Sequence, residues 1–159
     1  MSDGFALVDL DLAYLAQFVG LTVAERVQQA LAKSGHPKLR YSHGFVVQHL
    51  VDAERSIGAL AERMEVTQQA ASKMVAELER LGYVERMPGA DHRVRTVRLS
   101  SKGREAVERT RRIRARLDAR IERALGARRH AQVKEALMEV LKLLGGAEAI
   151  HRRRVRAPR

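Results

Sequence analysis

Five polar residues at the start of one segment have the types and spacing to do chemistry on a nucleic acid. In TQQAASKMVAELERLG, Thr67 precedes Gln68, Gln69, Ser72 and Lys73, while Ala71, Met74, Val75, Leu78 and Leu81 recur at helical spacing on the other side. Glutamine can hydrogen-bond an adenine edge in bidentate fashion, and lysine reaches guanine or phosphate. A threonine cap and the free N–H groups of a first helical turn suit phosphate oxygens. Glu77 and Glu79 stand further along and are expected to face away from phosphate. Polar residues on an exposed helix face can also be solvated and nothing more, so the elements around them must decide.

Those elements occupy Ser56 to Leu99. Ser56 can cap a short helix with Ile57, Leu60, Ala61 and Met64 inward, and small Ala61 allows two crossing helices to approach. Glu65-Val66 makes a turn, Thr67 caps the polar-faced helix, and Gly82 stops it. Val84–Arg86 and Val94–Leu99 read as short strands joined by Met87 to Arg93, whose Pro, Gly and Asp suit a loop. Helix, turn, helix and a thin hairpin with a basic tip make a winged helix-turn-helix, which places one helix in the major groove. Arg93, at that tip, is the second candidate for a nucleic-acid contact. Arg86, Arg95 and Arg98 are either phosphate neighbours or exposed strand residues.

The flanks read as helices. From Asp9 to Ala32, Leu12, Leu15, Val19, Val23, Val27 and Leu31 share one face, and Ser34-Gly35-His36-Pro37 ends the run. A second helix is expected from Tyr41-Ser42, with Ser42 as N-cap and Phe45, Val46, Leu50 and Val51 inward, to about Glu54. Ser100 or Ser101 opens a long helix to Leu125 with Val107, Ile113, Leu117 and Ile121 on one stripe, and Gly126 breaks it. A last helix from about Ala131 to Leu144 carries Val133, Leu137, Val140 and Leu141, and a basic tail follows. Neither terminal helix is needed to complete a winged helix, yet both carry continuous apolar faces. Packing two copies together is the simplest way to bury them, so a homodimer is expected. The domains read as an N-terminal dimerisation helix (1–40), the winged DNA-binding region (41–100), C-terminal dimerisation helices (101–146) and a basic tail (147–159). The fold class is mainly α with a small β-hairpin wing.

The formal charge of +11 favours a polyanionic partner, but its location matters. Basic and acidic residues balance over 1–40 and again over 41–100, whereas 101–159 holds eighteen basic against seven acidic. The surplus therefore lies outside the reading helix. On the long helix, Glu105–Arg109 and Glu108–Arg112 are spaced to pair, so a salt-bridged, solvated surface is expected there. The absence of cysteine, of a long apolar run and of a basic start before an apolar core points to a cytoplasmic protein with no membrane partner. No nucleophile–base pattern, phosphate loop or metal triad stands out, and His43 and His49 lie too far apart to share a helix face as ligands. No enzyme activity and no cofactor are expected.

In these features the chain resembles the MarR family of bacterial transcriptional regulators. Three stretches carry the resemblance: Leu60–Arg86, the wing residues Asp91, Arg93, Val97, Arg98 and Leu99, and Ser100 to Gly103 at the opening of the long helix. The family's wing pattern, Asp-x-Arg followed by a strand and Leu-Thr-x-x-Gly, stands here as Asp91, Arg93, Leu99, Ser100 and Gly103, with Ser for Thr. Glu65 departs from it, since the family commonly has Gly at that turn. A left-handed Glu65 would cost roughly 1 kcal/mol.

The resemblance implies that Arg93 enters the minor groove while Asp91 holds it, which suits the concentrated negative potential of a narrow groove. It also implies a small anionic aromatic effector between the dimerisation helices and the reading head. Tyr14, Phe18, Tyr41, Phe45 and His49 are the candidates, with core or dimer packing as their other reading. The expected DNA contacts are Thr67, Gln68, Gln69, Ser72, Lys73, Asp91, Arg93 and Arg95. The function expected is a homodimeric, sequence-specific regulator, a repressor on a pseudo-palindromic site. The alternative is a winged helix that binds protein without reading DNA.

Overall fold

Asp11 opens the first long helix by accepting the backbone N–H of Tyr14 at 2.8 Å, and α1 then runs Leu12–Lys33. The computed structural model describes residues 6–88 and 95–151. Only the C-terminal half of α1 enters the core, through Val27 and Leu31, while Leu12, Leu15 and Val19 stay exposed.

The segment after α1 differs from expectation. A single helical turn of the tighter 3₁₀ kind, Tyr41–His43, precedes a short α2, Gly44–Leu50. Ser42 is not its cap: the backbone N–H of Arg40 donates instead to Nδ1 of His43 at 3.0 Å. The helix stops at Leu50 rather than near Glu54, and Arg55 Nε–H donates to the His49 carbonyl at 2.8 Å, satisfying a helix-end acceptor.

The chain then straightens into β1, Arg55–Ser56, a strand that the sequence pattern does not announce. Ser56 caps α3 (Ile57–Met64) by accepting from Ala59 N–H at 3.2 Å, and α4 (Gln68–Arg80) follows. Strands β2 (Val84–Pro88) and β3 (Arg95–Leu99) pair antiparallel, with Val84 opposite Leu99 and Pro88 opposite Arg95. Met87 and Pro88 thus belong to the strand, not the loop. Because Arg55 pairs with Val97 and Ser56 with Thr96, the sheet order is β1-β3-β2. The wing is therefore a three-stranded sheet with β3 in the middle, rather than a thin hairpin with both edges free.

The core lies under this sheet. Leu31, Leu39, Val46, Leu60, Val75, Leu78, Tyr83, Val97 and Ala106 belong to one continuous buried cluster. Ser100 caps α5 (Ser101–Leu125), accepting from Gly103 N–H at 3.0 Å and donating to the Gly82 carbonyl at 2.6 Å. Gly103 has no freedom to be anything larger. A Cβ there would stand 2.1 Å from the carbonyl oxygen of Tyr83, which itself accepts the Ser100 N–H at 3.1 Å.

Beyond Gly126, α6 (Ala127–Leu143) folds back on α5, and a short α7 (Gly146–His151) takes up the first residues of the expected tail. Residues 152–159 lie outside the described residues. On α5, Glu105 pairs with Arg109 at 3.3 Å as the spacing implied, but Glu108 takes Arg111 at 2.5 Å rather than Arg112. The apolar side chains of α6 do not reach the core: Val133 and Leu137 are about half exposed, and Leu143 and Leu144 are more exposed still.

Candidate nucleic-acid interface

The turn between α3 and α4 sets the angle of the reading helix. Glu65 adopts φ 53° and ψ 45°, the only left-handed non-glycine among the described residues. Its N–H donates to the Glu62 carbonyl at 3.1 Å, and Val66 N–H reaches back to Ala61 at 3.0 Å. These two bonds close a Schellman-type ending and satisfy two orphan carbonyls of α3. They hold Glu65 in a conformation that costs a side-chain-bearing residue about 1 kcal/mol. Ala61 and Ala71 are both buried, as a close crossing of two helices requires.

Thr67 then caps α4, its hydroxyl accepting the Ala70 N–H at 3.1 Å. Ala71, Val75 and Leu78 are buried, which turns the opposite side outward: Thr67, Gln68, Gln69 and Lys73 are exposed and Ser72 is half-buried. The two glutamines differ. A side chain on Gly58 would begin 3.4 Å from Gln68 Nε2, so the Gln68 amide lies back against the start of α3. Gln69 is exposed and makes no side-chain hydrogen bond among the described residues, so it is open to meet a base edge.

Toward its other end α4 is ringed by ion pairs. Glu79 takes Arg86 of β2 at 3.0 Å, and on the wing Glu85 takes Arg98 at 2.8 Å. Carboxylates thus occupy two of the three strand arginines that could have met phosphate. Arg95 is exposed and opposite Pro88, and no carboxylate pairs with it among the described residues. Asp91 and Arg93, the other two wing residues singled out in the sequence, lie outside the described residues.

A third pair was invisible in the sequence. Glu77, in the C-terminal half of α4, accepts a hydrogen bond from the Arg40 guanidinium, and its second oxygen lies 3.5 Å from Nε2 of buried His43. Glu77 and Arg40 stand 37 residues apart, and only the fold brings them together.

Arg40 also borders a cavity of about 380 Å³ among α1, α2 and α5, with Val27, Leu31, Phe45 and Val107 on its apolar wall and Tyr41 and Arg114 beside them. Of the five residues suggested for an effector, Tyr41 and Phe45 line this cavity and stack edge to face, with ring centroids 5.6 Å apart. Tyr14 and Phe18 form a separate edge-to-face pair on the exposed half of α1, and His49 is buried elsewhere in α2. Tyr83 reaches the same cavity, with its hydroxyl 3.2 Å from Nδ1 of buried His36. Burial, helped by the negative charge of Glu105, raises the Tyr83 pKa above its ordinary value of 10.0. Among the described residues no cluster of side chains is arranged to hold a metal ion.

Helix, left-handed turn, capped polar helix and three-stranded wing define the class: a winged helix-turn-helix flanked by long terminal helices. The MarR family model matches residues 39–93, the segment from the approach to α2 through the wing. Solved structures that align over 83–86% of this chain share its fold. The transcriptional regulator Tm0710 of Thermotoga maritima aligns over 84% of this chain and 93% of its own, at 20% identity and a TM-score of 0.61. MepR, a transcription regulator of the Staphylococcus aureus multidrug efflux pump MepA, aligns over 85% and 99%, at 18% identity and a TM-score of 0.69. A point mutant of MepR bound to an oligodeoxyribonucleotide has a TM-score of 0.63 at 18% identity, covering 86% of this chain and 99% of its own. None of the curated proteins matches the sequence. The resemblance drawn from the reading-helix and wing residues is therefore matched by a model of the same family over residues 39–93.

Proposed function

We propose that this protein is a homodimeric, sequence-specific DNA-binding regulator that represses from a pseudo-palindromic site and is released by a small anionic aromatic effector. One observation carries the reading: the outward face of α4 is polar, capped and free of carboxylates over its first two turns, from Thr67 to Lys73, with Arg95 exposed on the adjoining wing. Glu77 and Glu79, which would repel phosphate, are each engaged by an arginine. Thr67 and the first-turn N–H groups grip phosphate, Gln69, Ser72 and Lys73 meet base edges, and Gln68 contributes once drawn off α3. Arg93 enters the flanking minor groove with Asp91 holding it, and Arg95 meets the backbone beside it. A MepR structure holds an oligodeoxyribonucleotide, which supports the same use of the shared fold.

Dimerisation is supported by what a single chain leaves uncovered. Leu12, Leu15 and Val19 on α1, Val133 and Leu137 on α6, and Leu143 and Leu144 beyond them are exposed. Residues 1–40 and 101–146 serve as the dimerisation helices in this reading, 41–100 as the DNA-binding region, and 147–159 as a basic extension. An exposed apolar surface of this extent marks an interface. The effector would seat on the apolar wall beside Tyr41 and Phe45, favouring a dimer whose helix spacing no longer matches DNA. It must bind the two spacings unequally to have any effect. A cytoplasmic setting goes with this function.

The test is duplex affinity across salt. Binding that falls steeply with salt and retains a preference for one sequence supports the reading. No affinity for any duplex at low salt would leave a winged helix that binds protein instead.

A further inference from the structure

The reading helix is tied to the α1–α2 junction by one carboxylate. Glu77 accepts the Arg40 guanidinium on one oxygen and faces His43 Nε2 at 3.5 Å with the other. His43 is buried, and its Nδ1 accepts the Arg40 backbone N–H at 3.0 Å. A ring nitrogen that accepts carries no proton, so neutral His43 has its proton on Nε2, on the side of Glu77. The three residues sit together: the Arg40 backbone fixes the His43 ring, whose Nε2 lies 3.5 Å from both the Arg40 guanidinium and Glu77, and the Arg40 side chain holds Glu77.

Arg40 also belongs to the cavity. Two further arginines line it, and their states differ: Arg111 is bonded to Glu108 at 2.5 Å, whereas Arg114 pairs with no carboxylate among the described residues. An aryl carboxylate on the apolar wall would bring its charge to the cations of this cavity. A carboxylate is also the group that Arg40 already holds.

We propose that Arg40 couples the cavity to the reading helix: a carboxylate bound in the cavity competes with Glu77 for the Arg40 guanidinium and leaves Glu77 of α4 without its arginine. This rests on the effector reading given under Proposed function and supplies its route. Ligand and duplex then oppose each other through one shared side chain, and by linkage each weakens the other by the same factor.

The test uses the full chain, with benzoate as probe and benzyl alcohol as its neutral counterpart. Benzoate affinity is measured without DNA, and duplex affinity is measured with and without saturating benzoate. In the wild type, benzoate binds, shifts the His43 ring resonances and weakens the duplex by about fivefold or more, within the usual range of such couplings, and benzyl alcohol does much less. Glu77→Gln removes the internal competitor, so benzoate binds this variant more tightly while its duplex affinity ceases to respond. A merely structural contact would give the opposite, a looser site. Arg40→Gln, the second variant, binds benzoate more weakly and also loses the response. If Glu77→Gln leaves benzoate affinity unchanged or lowered while the wild type still responds, the coupling through Arg40 is overturned and the effector reading stands. If neither probe binds the wild type at tens of millimolar, the effector reading falls and the coupling with it.

Discussion

Replacing Gly103 with alanine tests how tightly the long helix is locked to the reading head. Judged by helix propensity alone, alanine near the start of α5 should stabilise by up to about 1 kcal/mol. The packing says otherwise. The added methyl carbon would stand 2.1 Å from the Tyr83 carbonyl oxygen, where ordinary contact begins at 3.4 Å, so the helix must retreat by more than 1 Å. The obstacle is backbone and cannot swing aside. Overpacking of this kind costs about 1–3 kcal/mol. The retreat also strains the Ser100–Tyr83 and Ser100–Gly82 hydrogen bonds at 3.1 and 2.6 Å, each worth about 1 kcal/mol. The net expectation is a loss of about 2–3 kcal/mol, or a fall in Tm of roughly 4–12 °C for a chain of this size.

Thermal and urea unfolding at one fixed protein concentration would measure it, since any association between chains makes stability depend on concentration. Gly44→Ala is the control, because a methyl there meets nothing within 4 Å, and it should be neutral or stabilising by up to about 1 kcal/mol. A Gly103→Ala protein as stable as the wild type would refute the claim that this close approach fixes α5 against the wing.

The remaining predictions are simpler. Glu65→Gly should relieve the left-handed strain and stabilise by about 0.5–1 kcal/mol in urea unfolding; a loss of stability would mean that the Glu65 side chain contributes more than its backbone costs. Arg93→Ala should weaken operator binding by roughly 1–3 kcal/mol in gel shifts while sedimentation shows the dimer intact, and unchanged affinity would refute the wing assignment. Tyr83 should titrate above 10.0 in an ultraviolet absorbance titration. Because its folded pKa is raised, the stability it contributes is complete below the ordinary value and is lost as pH rises through the higher folded one. Removing residues 152–159 should flatten the salt dependence of duplex binding by about 0.9 for each phosphate the tail no longer neutralises, with little change in sequence preference.

Much of the fold was legible because its signals are local. Ser56, Thr67 and Ser100 are short polar residues immediately before apolar-periodic runs, and each caps the helix it precedes. The Gly that the resembled family commonly has at the position of Glu65 raised the question of a left-handed backbone there, and Glu65 adopts one. What sequence could not supply was long-range. Two residues after α2 became a strand because Val97 and Thr96 stand ready to pair with them, not because Arg55-Ser56 has any strand character of its own. The Ser42 cap failed because the ring of buried His43 supplied the acceptor instead.

At the site, the outward face of α4 followed from its apolar side, whereas Gln68 lying against Gly58 and Glu77 meeting Arg40 depend on tertiary placement. The only hint of the latter was an acidic residue on a helix meant for phosphate. In the sequence most of the positive charge falls in 101–159, after the reading helix, and two of its arginines, Arg109 and Arg111, are paired along α5. On the proposed function, that surplus bears on attraction to DNA more than on choice of sequence.

The central claim is that two copies of α4 read two copies of one sequence. Selection of bound sequences from a random duplex pool by the full chain tests it most directly. The account predicts enrichment of two half-sites related by a dyad, with centres about one helical turn, roughly 10–10.5 base pairs, apart. A single asymmetric site, or no enrichment at all, would contradict it.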